Sequence, residues 1–323
     1  MFDGVPLRLS VLDQSPISEG STGSDALHNT VDLARLADEL GYTRYWVAEH
    51  HGGAMLAGPS PEALIGPLAA ATRSLRVGSG GVMLPHYSPL KVAETFSVLS
   101  GLFPGRIDLG LGRASGTDPV TTLALQRDRR TPAPDDFPSQ LAELLAYLED
   151  DLPADHPFAR LSALPGLPEA PEPWLLGSSA QSAIWAAQLG VPYAFADFIN
   201  PGGAELAEIY RQRPDRDEAE RLASSSRMAM SLLRRGQPSA IPPVDKALRY
   251  LAEYGGGSQG RRAILGSGEE VRAGFEQVAA DYHAEEVMVV TITHDHAARR
   301  RSYELIAEAF GLTATARGAT ATA

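Results

Sequence analysis

The sequence predicts an α/β fold of the TIM-barrel type, a (β/α)8 barrel that spans residues 1–312 as a single domain. Over roughly the first two hundred of its 323 residues, short apolar runs alternate with segments whose apolar residues recur at helical spacing. Such alternation requires crossover connections and therefore a parallel sheet. Six such units in this length favour a barrel over a doubly wound sheet, although periodicity alone does not separate the two.

An internal similarity supports a repeating unit. The segments "ADELGYTRYWVAE" and "AAQLGVPYAFAD" each contain a helix end, a Leu-Gly stop and an aromatic-rich strand with an acid at its end. Ser24 is the expected cap of the first helix and Gly41 its end, whereas Ser60 followed by Pro61 opens the second helix. Strands are expected at 7–12, 42–49, 75–84, 106–112, 172–177, 191–198 and 286–293. Helices are expected at 24–40, 60–72, 88–103, 137–149, 178–190, 266–282 and 296–311.

This reading contains seven strands and not eight. No β-branched run lies between Asp197 and Glu286, and "RMAMSLL" (227–233) is a poor substitute. The barrel is therefore expected to be irregular, or to lack one strand near the seventh position. The low-complexity segment 313–323 is expected to be a flexible C-terminal tail.

Composition excludes several classes of function. The formal net charge is −12 and the pI is about 5.1, which disfavours binding to nucleic acid or to an anionic membrane surface. The chain has no cysteine, so disulfides and thiolate metal sites are excluded. It shows no signal peptide and no apolar run near 18 residues, and a cytoplasmic location is therefore expected.

The carboxyl ends of the predicted strands should carry the chemistry, because loops at that end of a parallel barrel vary without disturbing the core. The residues at these ends are expected to line one mouth. They are Asp13, Gln14, Glu49, His50, His51, the Gly80–Gly81 region, Arg113, the cluster from Ser178 to Ser182, and Asp197.

The segment "LLGSSAQSA" indicates an anion site at a helix start. Free N–H groups there, the helix dipole and the hydroxyls of Ser178, Ser179 and Ser182 would favour a phosphate, with Arg113 as a bidentate partner. The alternative is that Ser179 is only a helix cap.

The glycines of "GSGGVMLP" (78–85) stand where a strand should have side chains. Either a flat ligand approaches this backbone closely or the strand contains a bulge. Known nucleotide motifs are absent, because "GLGRASG" has the wrong spacing for a dinucleotide turn and no Gly-Lys pair exists.

The stretch "WVAEHHGG" (46–53) sets two imidazoles side by side. Adjacent strand residues point to opposite faces, so His50 and His51 do not simply converge on one ion, and no metal site is predicted. One imidazole is expected to face the pocket while the other packs or bonds locally.

Four segments together resemble the bacterial luciferase-like family of flavin-dependent monooxygenases. They are "WVAEHH", "RVGSGGVMLP", "GRIDLGLGRASGTD" and "PWLLGSSAQSAIWAAQLGVPYAFA". The resemblance covers residue 7 to about 200 and resumes at 262–311. It implies a barrel that binds FMN, a homodimer packed through early helices, and a separate flavin reductase that supplies the reduced cofactor.

The resemblance also implies roles for individual residues. His50 matches the imidazole beside the reactive edge of the flavin, and Gly80–Gly81 matches the site of a cis peptide bond beneath the isoalloxazine. Four serines and one arginine match the phosphate region: Arg113, Ser115, Ser178, Ser179 and Ser182. On this basis His50 is expected to stabilise a C4a-(hydro)peroxide or to shuttle a proton, while Glu49 and His51 orient the loop.

The expected function is that of a two-component FMN-dependent monooxygenase acting on a small organic substrate. Two alternatives remain, a deazaflavin-dependent oxidoreductase on the same barrel and a flavin-binding protein without turnover. The second gains weight from an apparent deletion around 213–217, because the family includes a shortened, non-catalytic flavoprotein. The loops at 14–23, 52–59 and 114–136 are expected to set the substrate, which the sequence does not identify.

Overall fold

The computed structural model describes residues 6–113, 118–126, 128–131, 136–166, 170–212 and 264–314. Its strands are β1 (Arg8–Asp13), β2 (Arg44–Val47), β3 (Arg76–Met83), β4 (Ile107–Gly112), β5 (Glu172–Gly177), β6 (Tyr193–Phe195) and β7 (Glu286–Val289). Its helices are α1 (Gly23–Leu40), α2 (Pro61–Ala71), α3 (Pro89–Leu102), α4 (Pro119–Leu125), α5 (Phe137–Glu149), α6 (Ala180–Leu189), α7 (Ala204–Gln212), α8 (Gly268–Tyr282) and α9 (His296–Phe310).

The seven strands form one parallel sheet in the order β6-β5-β4-β3-β2-β1-β7. From β1 to β6 each strand pairs with the next strand in the chain, and β7 returns to pair with β1, which is the connectivity of a (β/α) barrel. The predicted fold class is thus confirmed. In the described part of the chain β6 and β7 are the two edges, and the "RMAMSLL" segment considered for an eighth strand lies outside it, as do residues 213–217.

The helix termini follow the predicted residues with one correction. Gly41 ends α1 in the left-handed conformation at φ 86°, as its position predicts. The cap of α1 is Thr22 and not Ser24, because Thr22 forms a reciprocal capping box with Asp25. The short helix α4, capped by Asp118, was not predicted and lies in a segment interpreted as a loop.

Side chains on the two faces of the sheet form two apolar clusters. Outward residues such as Leu9, Val11 and Val47 pack against the helices in a large outer cluster. The inward face carries an inner cluster, formed by Leu12, Trp46, Ala48, Trp174, Leu176, Ala194, Phe198, Met288 and Val290. Burying one such aliphatic or aromatic side chain stabilises the fold by roughly 1.5–3 kcal/mol.

A layer of ion pairs occupies the amino ends of the strands. Arg44 contacts Asp108 at 2.9 Å, Glu172 at 3.1 Å and Glu286 at 3.2 Å, and Asp108 also accepts a hydrogen bond from the Trp46 indole. Burial alone would lower the pKa of Arg44, but the nearby carboxylates outweigh it and raise that pKa. Because these charges are paired with one another, we expect a ligand to bind at the opposite end of the barrel, at the carboxyl ends of the strands.

Asp13 does not line the mouth, contrary to the sequence-based expectation. Leu12 points inward, so alternation turns Asp13 outward into the layer between the sheet and the helices. There it forms a fully buried ion pair with Arg299 at 2.7 Å and accepts a hydrogen bond from the Tyr45 hydroxyl. Burial tends to raise the pKa of Asp13, but Arg299 and the hydrogen bonds lower it overall. The role of Asp13 is structural.

The described part of the predicted tail, residues 313–314, lies against Gly41 at the end of α1, where a side chain would collide with the Thr313 backbone. The remainder of the tail lies outside the described residues. Within the described ranges, no helix combines the length and the apolar character that a membrane span requires.

Candidate active site

The carboxyl ends of four neighbouring strands bring the candidate residues to one rim. Strands β2, β3, β4 and β5 are consecutive and parallel, so their carboxyl ends lie side by side. Along this rim the structure places His50, then Gly80–Gly81, then Arg113, then Ser178–Ser179. Three inter-strand spacings cover about 14 Å. The rim therefore offers an imidazole and a bare backbone at one end, and polar donors at the other.

His50 lies in the turn after β2. Side chains alternate along a strand, and Trp46 and Ala48 belong to the inner cluster, so we expect His50 to face the barrel interior if the alternation continues past Val47. Its backbone N–H donates to the Gly58 carbonyl at 3.0 Å, which holds the turn against the loop that follows. The residue is partly buried. This placement suits proton exchange with a ligand in the mouth.

Of the two adjacent imidazoles, His51 bonds locally, as the sequence predicts for one of the pair. His51 Nε2 lies 2.6 Å from a carboxylate oxygen of the fully buried Glu49. Its ring also packs edge-on against His86, with 5.8 Å between ring centroids. Among the described residues, no group of three or more His, Asp or Glu is arranged to hold a metal ion.

The peptide bond between Gly80 and Gly81 is cis, as the family resemblance implies. The pairing of β3 with β4 shifts register between Ser79 and Val82, so this segment is a bulge. A Cβ on Gly80 would lie 2.5 Å from Leu12 Cδ1, and one on Gly81 would lie 2.7 Å from the Gly110 carbonyl oxygen. The backbone contact therefore requires glycine at position 81, whereas a side chain at position 80 would have to displace the end of the Leu12 side chain. The protein itself fills the space at the two Cβ positions, and the close approach of a flat ligand to this peptide stays a prediction.

The start of α6 provides the polar end of the rim. Ser179 is the N-cap residue, and its hydroxyl accepts a hydrogen bond from the Ser182 N–H at 3.4 Å. The Arg113 guanidinium lies over the Trp185 ring, 5.6 Å from its centroid, so this cation sits beside α6. Unsatisfied N–H groups of a helix start, a nearby guanidinium and two serine hydroxyls together match the donor set of a phosphate site.

Ser182 has a different environment from Ser178 and Ser179. It is 8% exposed, its hydroxyl donates to the Ser179 carbonyl at 2.8 Å, and it lies 2.9 Å from the Tyr193 hydroxyl. These contacts direct its oxygen toward β6, so its part in the candidate site is to support the helix start. Ser115, the remaining predicted phosphate residue, lies outside the described residues.

Two residues near the polar end have roles that local patterns do not reveal. Asn200, in the loop after β6, donates its side-chain amide to the Ser178 carbonyl at 3.1 Å and so fixes the turn that opens α6. No motif marks it, because the contact spans 22 positions of the chain. Asp197, predicted to line the mouth, accepts a hydrogen bond from the Tyr282 hydroxyl at 2.6 Å and joins the end of β6 to α8.

The loops expected to select the substrate contact one another around the mouth. Residues 14–17 pair with 55–57, through the Ile17 N–H to the Met55 carbonyl and an antiparallel bridge between Pro16 and Leu56. Thr121 of α4 packs on Gly52 so closely that a Cβ there would overlap its hydroxyl. Three loops distant in sequence thus form one continuous wall.

Comparisons with known proteins agree with this geometry. The model of the luciferase-like monooxygenase family matches residues 7–232. The N-acetyl-S-alkylcysteine monooxygenase of Bacillus subtilis is 39% identical, over 94% of this chain and 98% of its own length. The crystal structure of apo-MsnO8 is 40% identical and superposes with a TM-score of 0.82, over 95% of this chain and 99% of that one.

A third comparison shows the fold alone. It is the oxygenating constituent of the 3,6-diketocamphane monooxygenase of Pseudomonas putida, a type II Baeyer–Villiger enzyme solved in complex with FMN. It is 18% identical, with a TM-score of 0.66 over 95% of this chain and 98% of that one.

The chain belongs to the luciferase-like monooxygenase family. It is an enzyme of the flavin-dependent oxidoreductases, a monooxygenase. The family that the four sequence segments predicted is thus confirmed.

Proposed function

We propose that this chain is the oxygenase component of a two-component FMN-dependent monooxygenase, which uses reduced FMN and O2 to oxygenate a small organic substrate. One observation carries the proposal. Arg113 after β4 and Ser178–Ser179 after β5 share a rim with His50 after β2 and the cis Gly80–Gly81 peptide of β3. A cofactor with a flat ring at one end and a phosphate at the other fits this order.

The residues of the rim would hold FMN by distinct contacts. The guanidinium of Arg113 and the free N–H groups at the start of α6 would bind the phosphate, with Ser178 and Ser179 adding hydroxyl donors. The Gly80–Gly81 peptide would support the ring. This division leaves His50 beside the ring and away from the phosphate.

When bound, reduced FMN would supply the electrons that activate O2 for transfer of one oxygen atom to the substrate. The chain has three tasks: to orient the ring, to exclude water and to control a proton. His50 would hold or move that proton, since an imidazole nitrogen can accept or donate one. The wall formed by residues 14–17, 55–57 and α4 would keep water from the mouth. Water in the mouth would allow uncontrolled proton transfer, and the oxygen would then leave as H2O2.

Two relatives support the cofactor and substrate class. The Pseudomonas putida protein with the same fold binds FMN, and the Bacillus subtilis relative is named for small thioether substrates. N-acetyl-S-alkylcysteines are therefore the first compounds to assay. The proposal includes a separate flavin reductase as the source of reduced FMN and a homodimer packed through the early helices, where α3 exposes Val98 and Leu102.

Rapid mixing of the protein with reduced FMN and oxygenated buffer tests the proposal. We expect a transient absorbance band, distinct from those of reduced and oxidised FMN, that outlasts the oxidation of free reduced FMN. A protein that binds FMN but does not alter its oxidation would be a flavin-binding protein without turnover. A protein that does not bind FMN but binds a reduced deazaflavin would be assigned to the alternative class, a deazaflavin-dependent oxidoreductase that transfers hydride. Either result contradicts the proposal.

Ser179→Ala is expected to weaken FMN binding more than riboflavin binding, because only FMN carries the phosphate. Loss of the cap should also lower the free energy of unfolding by about 0.5–2 kcal/mol. Ser267→Ala is the matched control, since Ser267 caps α8 with the same 3.4 Å contact and lies away from the rim. Fluorescence titration with both flavins measures the effect. Equal FMN affinity in the two variants would remove Ser179 from the phosphate site.

A further inference from the structure

Glu49 is a buried carboxylate with an unusual set of partners. Its exposed fraction is 0%, and it gathers three groups: the Met83 N–H at 2.8 Å, the Tyr87 hydroxyl at 2.9 Å and His51 Nε2 at 2.6 Å. The other fully buried carboxylates of the described chain, Asp13 and Asp108, each pair with arginine. A buried carboxylate is costly unless it is satisfied in this way, so the three contacts together keep Glu49 in place.

The partners of Glu49 belong to the next strand. Backbone pairing between β2 and β3 ends at the Val47–Ser79 pair, just before the bulge at Gly80–Gly81. Beyond that pair, Glu49 is the link from the end of β2 to Met83 at the end of β3 and to Tyr87 in the turn that follows. Its two carboxylate oxygens thus replace the backbone ladder where the ladder stops.

This link connects the two parts of the rim that are proposed to contact the flavin ring, His50 and the Gly80–Gly81 peptide. Glu49 directly precedes His50 in the chain, and Met83 follows Gly81 by two positions. The Tyr87 hydroxyl and His51 share one oxygen, whereas the Met83 N–H takes the other. The carboxylate therefore joins the chain next to His50 to the chain just after the cis peptide bond.

We propose that Glu49 is a positioning residue, which holds His50 and the Gly80–Gly81 peptide at the separation that the flavin ring requires. The inference rests on the proposed function, because the ring is the FMN ring. Glu49 contacts neither flavin nor substrate. It acts through Met83, Tyr87 and the chain on either side of it.

Glu49→Gln tests this role. The amide keeps the size of the side chain, but it has one acceptor oxygen where the carboxylate has two for Met83, Tyr87 and His51. We expect the variant to bind FMN about tenfold more weakly or worse, and to change the visible circular dichroism of bound oxidised FMN. An ångström-scale displacement of reacting groups costs on the order of 100-fold in rate. The transient band after mixing with oxygen should therefore shorten by about 10- to 100-fold.

Asp38→Asn is the matched control. Asp38 also gathers several donors, the N–H groups of Arg73, Ser74 and Leu75, but it does so before the amino end of β3. Its loss should lower the melting temperature and leave FMN affinity and the dichroism spectrum unchanged. Tyr87→Phe removes a single donor and should shift both flavin readouts in the same direction as Glu49→Gln, which keeps the test valid if the glutamine variant does not fold.

The outcomes separate the two proposals. Wild-type protein that fails to bind FMN would overturn the proposed function, and with it the role of Glu49. Wild-type protein that binds FMN, with Glu49→Gln or Tyr87→Phe giving the same flavin affinity and spectrum as Asp38→Asn, would overturn the positioning role alone.

Discussion

Replacing His50 with alanine is expected to leave FMN bound and to shorten the lifetime of the transient band by about 10²- to 10⁴-fold, the range that a positioned acid or base contributes. His50 is the member of the adjacent pair that alternation turns toward the inner cluster, whereas His51 is held by Glu49. Loss of the imidazole removes the group that controls the proton, so oxygen should leave as H2O2. Stopped-flow absorbance and H2O2 release per flavin oxidised measure the change.

A second histidine provides the control for this prediction. His28 is exposed on α1, and His28→Ala should change neither the FMN affinity nor the lifetime of the band. If His50→Ala behaves like His28→Ala in both measurements, His50 has no role in controlling the proton.

Asp13→Asn is expected to lower the free energy of unfolding by about 3–5 kcal/mol, the usual cost of removing one partner from a buried ion pair. The Arg299 side chain is 3% exposed and would remain charged between the sheet and the helices without its carboxylate. Urea unfolding at pH 7 measures the loss. Asp128→Asn is the matched control. The Asp128–Arg130 ion pair has a similar length of 2.8 Å but is largely exposed, so its loss should change the free energy of unfolding little.

The effect of Asp13 should depend on pH with a defined sign. Arg299, Tyr45 and the Ser15 N–H lower the pKa of Asp13 in the folded protein despite its burial. A lowered pKa contributes stability that is fully present above the unfolded value, about 3.9, and is lost as the pH falls through the folded value. The difference between wild type and Asp13→Asn should therefore be constant from pH 5 to 7 and narrow below about pH 4. A difference that grows on acidification would contradict this assignment.

The sequence predicted the strands well because their signals are local. Apolar runs bounded by glycine placed β5 at 172–177, as the structure has it, and Gly41 marked the end of α1. The carboxyl ends of these strands then predicted the rim, since parallel strands present those ends together. The order of His50, Gly80–Gly81 and Arg113 followed from topology alone.

The features that sequence reasoning missed depend on contacts between distant segments. The direction of Asp13 depends on the face that β1 turns toward α9, and its partner Arg299 lies 286 positions away. The role of Asn200 depends on the turn before α6, and the function of Gly80 depends on how Leu12 packs across the sheet. Residue type and local spacing do not predict such contacts. Thr22 was the exception, because its capping box with Asp25 is a local signal that Ser24 obscured.

A crystal structure of the protein with FMN is the most direct test of the account. We expect the isoalloxazine to lie against the Gly80–Gly81 peptide with the His50 imidazole beside it, and the phosphate to contact Arg113 and the start of α6 at Ser178–Ser179. Electron density for FMN elsewhere, or a mouth filled by Leu12 and its neighbours while FMN is present in excess, would contradict the central claim.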